Sequence, residues 1–317
     1  MSAYILRRLI QALFLSFGVS VLVFVALQMA PGDPATLLVD PSYFTPQQLL
    51  EVRASLGLED PWPQQYIKTM SGMFNGELRS FRSREPAMDM VMQAMPVTLK
   101  VVVGGVLLSI LFGIPLGIAA AYRPGSWIDN FLSFSMAFAL SAPPFVLALV
   151  LVRIFAEAWR ILPASGMQPA GATSVSLLTS LAHLTLPSIV TAIPIAPILA
   201  RYTRDALREV LQEEYIRTAS AKGLARMSIL ARHMIPNVMV PLLSVLGIII
   251  PMLLGGSAIV ESVFTLPGIG RVAVQSALLR DFPVVMTTTI VSTLIIVASN
   301  LLTDVLYFVV DPRLRPR

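Results

Sequence analysis

This chain predicts an all-α integral membrane protein: six membrane-crossing helices, an extracytoplasmic insert after the first, and a cytoplasmic helical segment between the fourth and fifth. Three observations carry that expectation. Of 317 residues, 56% are hydrophobic and only 13% are charged, roughly half the charged share of a soluble domain, and the mean hydropathy is +0.76. Six apolar runs are each long enough to cross about 30 Å of hydrocarbon. The basic residues gather in one loop and in the tail, the bias that marks a cytoplasmic face.

Arg7 and Arg8 precede the first apolar run, about 9–29, which therefore points outward. It is longer than the core of a usual signal peptide and reads as a retained span. Residues 30–96 are the least hydrophobic interval. They open with Pro31, Gly32, Asp33 and Pro34, continue through a helix start at Thr45, Pro46 and Gln47, and carry a weak apolar stripe of Leu49, Val52, Leu56 and Leu58 before Pro61, Trp62 and Pro63 break it. This is a small folded insert outside the membrane.

The five-helix remainder, 97–317, begins with spans at about 97–121 and 131–155, made antiparallel neighbours by a short turn at Arg123, Pro124 and Gly125. Gly104, Gly105, Gly113 and Gly117 permit close helix approach, while Pro115, Pro143 and Pro144 predict kinks. The fourth span, about 177–199, contains Pro187, Pro194 and Pro197. The fifth and sixth run at about 238–259 and 284–310, separated by an outer loop over 260–283. Six spans place both termini inside. In support, the loop 201–237 holds Arg201, Arg204, Arg208, Arg217, Lys222, Arg226 and Arg232, and the tail holds Arg313, Arg315 and Arg317, whereas the short outer loops carry mainly Arg160, Arg271 and Arg280.

The interval from Glu213 to Pro241 is dense in charge yet helical in pattern. Leu207, Val210, Leu211, Tyr215 and Ala219 recur at threes and fours on one face. Lys222 and Gly223 then mark a helix end, because glycine accepts the left-handed conformation and a cation suits the negative end of the dipole. Leu224, Met227, Leu230, Ala231 and Met234 resume a stripe until Pro236 and Asn237 interrupt it. The pattern is helix, turn, short amphipathic helix, membrane. A short helix of this kind is marginal alone and is expected to be held by packing; an amphipathic segment lying on lipid headgroups is the plainer reading of the same pattern.

The run TASAKG, followed thirteen residues after Gly223 by Pro236, resembles the cytoplasmic EAA signature of ABC importer permeases, and YIRTASAKG resembles its peptide-permease form, with Arg217 at the family's glutamate position. APGDP at 30–34, with the loop after it, resembles the B-type subunit of dipeptide and oligopeptide permeases, and LPGIGR at 266–271 resembles peptide and nickel permeases. The resemblance covers nearly the whole chain. It implies the type I ABC importer fold, with residues 224–233 as the coupling helix that docks on an ATP-binding subunit. The implied interface comprises Tyr215, Arg217, Thr218, Ala219, Lys222, Gly223, Leu224, Ala225, Arg226, Met227, Ile229, Leu230, His233 and Pro236. It also implies a second related permease, two ATP-binding subunits that hold ATP and magnesium, an extracytoplasmic substrate-binding protein and a small peptide substrate, in a bacterial inner membrane. The outer loop, with Glu261, Phe264, Pro267, Gly268, Ile269, Gly270 and Arg271, is a candidate gate or binding-protein contact. Nickel, glutathione and other small solutes use permeases of similar wording.

No chemistry of its own is legible. There is no cysteine and no G-x-x-x-x-G-K-[ST] stretch, so energy is expected to enter from another polypeptide rather than from a cofactor on this chain. His183 and His233 lack metal-ligand spacing and read as helix-end or loop residues. The +5 net charge is a membrane-face signal, not a nucleic-acid one. Asn300 and Asp304 share a face of the last span, and Ser141 with Pro143 and Pro144 marks the kinked third; these are pathway candidates, with structural contacts as the better reading. An ATP-independent secondary transporter would need a coupling site at mid-membrane in related halves, and a membrane scaffold would need no pathway; both are weaker readings of these residues.

Overall fold

The computed structural model describes residues 2–38, 45–168 and 176–310. The tail arginines Arg313, Arg315 and Arg317 lie outside them. Fourteen α-helices are described and no β-strand beyond one isolated bridge between Arg79 and Pro86. Four helical stretches are long and apolar enough to cross a membrane, within α1 (Ser2–Met29), α5 (Ala87–Tyr122), the run from Arg226 to Val263, and α14 (Phe282–Val310). Two bent pairs, broken by 108° and 53°, bring the total up to six where each is counted as one crossing. One is α6 (Trp127–Ser141) with α7 (Pro144–Leu151), which continues as a π-helix over Val152–Ala158; the other is α8 (Leu177–Ala192) with α9 (Ala196–Leu211).

The bends fall where proline removes a backbone donor. α6 stops at Ala142, ahead of Pro143 and Pro144. The 53° turn between α8 and α9 contains Pro194, with Pro197 in the first turn of α9. The fourth crossing therefore extends well past the expected limit at 199, its second half reaching Leu211 as an amphipathic arm that buries Leu199, Ala200, Thr203 and Leu207.

The chain forms two compact units: Met1–Tyr4, Leu99–Leu266 and Ala298–Arg317 in one, Ile5–Thr98 and Pro267–Val297 in the other. In the first, α5 packs against both halves of the bent crossing through its glycines. A Cβ on Gly113 would sit 2.6 Å from the Ala196 carbonyl oxygen, and one on Gly117 would sit 2.4 Å from that of Ala200. The helices touch backbone to backbone on the far side of the bend, where no larger residue fits.

In the second unit the described residues of the insert form α2 (Pro34–Leu38), α3 (Pro46–Ser55) and α4 (Trp62–Phe74) ahead of the start of α5 at Ala87. The helix start expected at Thr45, Pro46 and Gln47 is that of α3, where Thr45 forms a reciprocal capping box with Gln48. The stripe Leu49, Val52, Leu56 and Leu58 is its half-buried face. Pro61, Trp62 and Pro63 begin a helix rather than merely ending one, with Pro63 in its first turn. Tyr66 ties α4 to α1, its hydroxyl 2.7 Å from Ser20 Oγ and its ring edge-on to Phe24.

APGDP acquires a physical account in this unit. Gly32 holds φ at +104°, and the Arg280 guanidinium occupies the space a Cβ would need. Asp33 accepts from the Ala35 amide at 2.9 Å through Oδ1 and pairs with Arg53 at 2.6 Å through Oδ2, while Pro34 starts α2.

Candidate functional site

The charged stretch resolves into parts with a different division from the expected one. α9 ends at Leu211, the chain breaks at Gln212 and Glu213, and a separate short helix α10 (Glu214–Ala221) follows. The break shifts the buried stripe by one residue. Ile216 and Ala219 are buried, and Tyr215, expected on the same face, is 42% exposed. Helix α10 ends in a Schellman motif: the Leu224 amide donates to Ala219 O and the Gly223 amide to Ser220 O at 3.0 Å. Gly223 takes φ +77°, with nothing within 4 Å of where a Cβ would be, so the demand for glycine is conformational.

The segment 224–233 is not a separate helix, which corrects the expectation. α11 (Arg226–Ile229) passes through a π-helical turn over Leu230–Met234 directly into α12 (Ile235–Val263). Pro236 was expected to interrupt the helix; it lacks the amide that would bond Arg232 O, and the widened turn just before it accommodates that loss. Asn237 ties this junction back to α10, donating to Tyr215 Oη at 3.2 Å as well as to His233 O at 2.7 Å. Burial pushes the Tyr215 phenol up, and Glu213 raises it further, so the hydroxyl stays protonated at neutral pH.

Burial divides the stretch that holds the candidate interface residues in two. Ile216, Ala219, Ile229, Leu230 and Met234 join Leu199, Leu207, Val238 and Leu242 in one apolar core, seating α10 and the turn on the first unit. Arg217, Thr218, Lys222, Gly223, Leu224, Ala225, Arg226 and Met227 are exposed, as are Tyr215 and Pro236, while His233 is half-buried. The outward surface thus pairs cations with two exposed apolar side chains, Leu224 at 42% and Met227 at 73% exposed. Such a surface, on a base packed into the core, can receive a partner and pass on its movement.

The outer-loop candidates also divide. In the first unit Glu261 and Phe264 are buried, Glu261 O accepts from the Leu266 amide at 2.8 Å, and Phe264 O accepts from the Gly166 amide at 2.8 Å. In the second, Gly268 caps α13 (Ile269–Leu278), and the buried Ile269 amide donates to Thr98 Oγ1 at 2.8 Å. Glu261, Phe264, Gly268 and Ile269 hold the loop in place. Pro267, Val274, Leu278 and Leu279 are among the exposed side chains; Gly270 and Arg271 are half-buried.

Asp281, which the sequence reading did not single out, anchors the turn between α13 and α14 to the insert. Only 5% exposed, it accepts from Ser80 Oγ and from the Phe81 amide at 3.0 Å. Ser80 Oγ in turn accepts from the amides of Arg82 and Ser83. Asp281→Ala is expected to raise amide exchange at Phe81 and its neighbours by roughly 30-fold, the equivalent of about 2 kcal/mol for lost charge-assisted bonds. Unchanged exchange there would show that the carboxylate does not hold the insert.

Of the pathway candidates, Ser141 is exposed and donates to Ala137 O at 2.9 Å, Pro144 opens α7, Asn300 is exposed and Asp304 is half-buried on the same face of α14. The structure does not bring Ser141 and Asp304 into one described cluster. His183 is buried, its Nδ1 3.0 Å from Gly166 O and 3.2 Å from Ser165 O. Two carbonyls can only accept, so Nδ1 carries the proton and the ring pins the loop. No group of three or more metal-ligating side chains exists among the described residues.

The model of the family "Binding-protein-dependent transport system inner membrane component" matches residues 113–316, and the model of its N-terminal region matches 1–102. The chain belongs to this family. This transport-system membrane component is 36% identical over 318 residues to the "Oligopeptide transport system permease protein AppB" of Bacillus subtilis, with 99% of each chain covered. It is 35% identical to the "Probable peptide ABC transporter permease protein y4tP" of Sinorhizobium fredii, covering 99% of this chain and 100% of that one. Among solved structures, the inward-facing MetNI methionine ABC transporter matches 72% of this membrane component and 99% of its own chain with TM-score 0.53 at 20% identity, a likeness of fold. The component is therefore a multi-span helical permease of the ABC importer fold.

Proposed function

We propose that this permease forms half of a pathway for di- or oligopeptides and is driven by ATP-binding subunits that dock on α10 and the turn after it. The observation that carries the reading is the division of that segment: Ile216, Ala219, Ile229 and Leu230 fix it to the core while Arg217, Lys222, Leu224, Arg226 and Met227 face out. Converting a two-state pathway from 1:99 to 99:1 takes about 5.5 kcal/mol of differential binding, which a seated docking surface can transmit. Peptide as substrate rests on the relatives' names over full length. Two ATP-binding subunits would hold the nucleotide and magnesium, a second related permease would complete the pathway, and a substrate-binding protein would approach the insert and α13. Both termini would face the cytoplasm, placing the cationic loop inside.

The test is reconstitution. Vesicles holding this chain, a second permease of the same system and the ATP-binding subunits, with binding protein outside, are expected to accumulate a labelled tripeptide only when ATP is present. Peptide uptake by this chain alone would overturn the coupling, and ATP-driven uptake of nickel in place of peptide would overturn the substrate.

A further inference from the structure

At the cytoplasmic ends of three helices in the first unit, one carboxylate collects two guanidinium groups. Asp129, in the first turn of α6, accepts from Arg204 Nη1 and from Arg208 Nη2, each at 2.8 Å, and from the Gly125 amide at 3.0 Å. Arg208 Nη2 also donates to Ala120 O, at 3.2 Å, in the last turn of α5. Arg204 makes a further contact to the exposed Asp205. The Asp129 and Arg204 side chains are only 13% and 15% exposed. Three spans' worth of backbone thus converge on a single anion withdrawn from solvent, where each charge depends on the others for compensation.

The position of this cluster gives it a consequence beyond stability. Arg208 lies one turn before the end of α9, immediately ahead of α10. A displacement of α10 reaches α8 through the chain itself. It reaches α5 through packing and through the Tyr122 hydroxyl, 3.4 Å from Met234 Sδ, and α6 through packing and through Asp129. The packing there is apolar, Ala120 and Leu132 against Ala200, which resists separation but is non-directional. Charge-assisted bonds from two guanidinium groups, one to each carboxylate oxygen, are directional and fix register.

We infer that Asp129 is a positioning residue for energy coupling: it locks the α9 arm to the α5–α6 turn, so that a movement imposed on α10 by a nucleotide-binding partner is passed into α6 and on to its break at Ser141–Pro144. The inference rests on the docking reading above and adds a route through this unit. Arg204 and Arg208, spaced one turn apart on α9, are the two arms of the joint.

The experiment uses the assembled importer in vesicles. Wild type must first show ATP hydrolysis stimulated by binding protein and peptide, which tests the docking reading by itself. Asp129→Asn keeps the shape of the side chain and removes its charge. The expected result is that basal ATP hydrolysis per assembled complex is retained while stimulation falls about fivefold or more, and that Asp129→Glu restores most of it. Arg204→Gln is expected to reproduce the defect. A purely structural role would lower the yield of complex and leave the stimulation ratio of the surviving complexes alone. A wild-type ratio in Asp129→Asn, whatever the yield, overturns the inference and leaves the docking reading standing.

Discussion

Met227→Glu is expected to prevent stable association with the ATP-binding subunits, weakening it by about 30-fold or more, the roughly 2 kcal/mol scale of an interface hot spot. Met227 is 73% exposed beside Arg226, in the turn that leads into the long helix. It makes no part of the buried core, which is supplied by Ile229, Leu230 and Met234. A charge at 227 therefore leaves the permease fold intact while it puts an unpaired carboxylate where an apolar anchor would be desolvated. Affinity of the purified permease for its ATP-binding partners, measured by titration in detergent, reads the effect directly. Ile229→Asp serves as the contrast, because it should lower the permease's own yield. If Met227→Glu binds the partners as wild type does, the docking surface lies elsewhere.

Gly117→Val is expected to cause the second large effect, by a different route. Its Cβ would fall 2.4 Å from the Ala200 carbonyl oxygen and 2.6 Å from Thr203 Cβ, and neither backbone nor a β-branched side chain can swing aside. Overpacking of this kind costs about 1–3 kcal/mol where the helices can part and more where they cannot. The α5–α9 contact also positions Arg208 against Ala120 O, so the variant should lose both thermal stability and coupling. Gly18, which has nothing within 4 Å of its Cβ position, should accept alanine with little change. A melting temperature for Gly117→Val equal to wild type would mean that the helices are not in backbone contact in the membrane.

The apolar helices, the Thr45 cap, the turn at Gly125 and the left-handed Gly223 were all legible because each is written locally. An apolar run, a capping residue or a glycine after a lysine states its own conformation. What escaped was anything decided by contact at a distance. That Ile216 rather than Tyr215 faces the core follows from a break at Gln212–Glu213, which periodicity alone does not show. The absence of a separate helix at 224–233 follows from a π turn that makes room for Pro236, where proline alone argues for interruption. Arg204 and Arg208 were visible only as members of a positive-inside count, because their partner Asp129 lies some 75 residues earlier and nothing in the spacing joins them. Ser126 with Asp129 three residues on is a helix-start signature, and it was the one available hint that the carboxylate sits at a helix end. Asp281 and Ser80, about 200 positions apart, left no sequence trace of their meeting.

The unbroken run from Arg226 to Val263 has a mechanical corollary. Thirty-eight residues of helix measure about 57 Å, so the turn that carries Met227 and the end that carries buried Glu261 are two tips of one axle. A roll applied at the first tip arrives at the second without crossing a loop. Pro241 and Pro251 within it permit flexure, yet torsion survives a bend, as it does in a flexible drive cable.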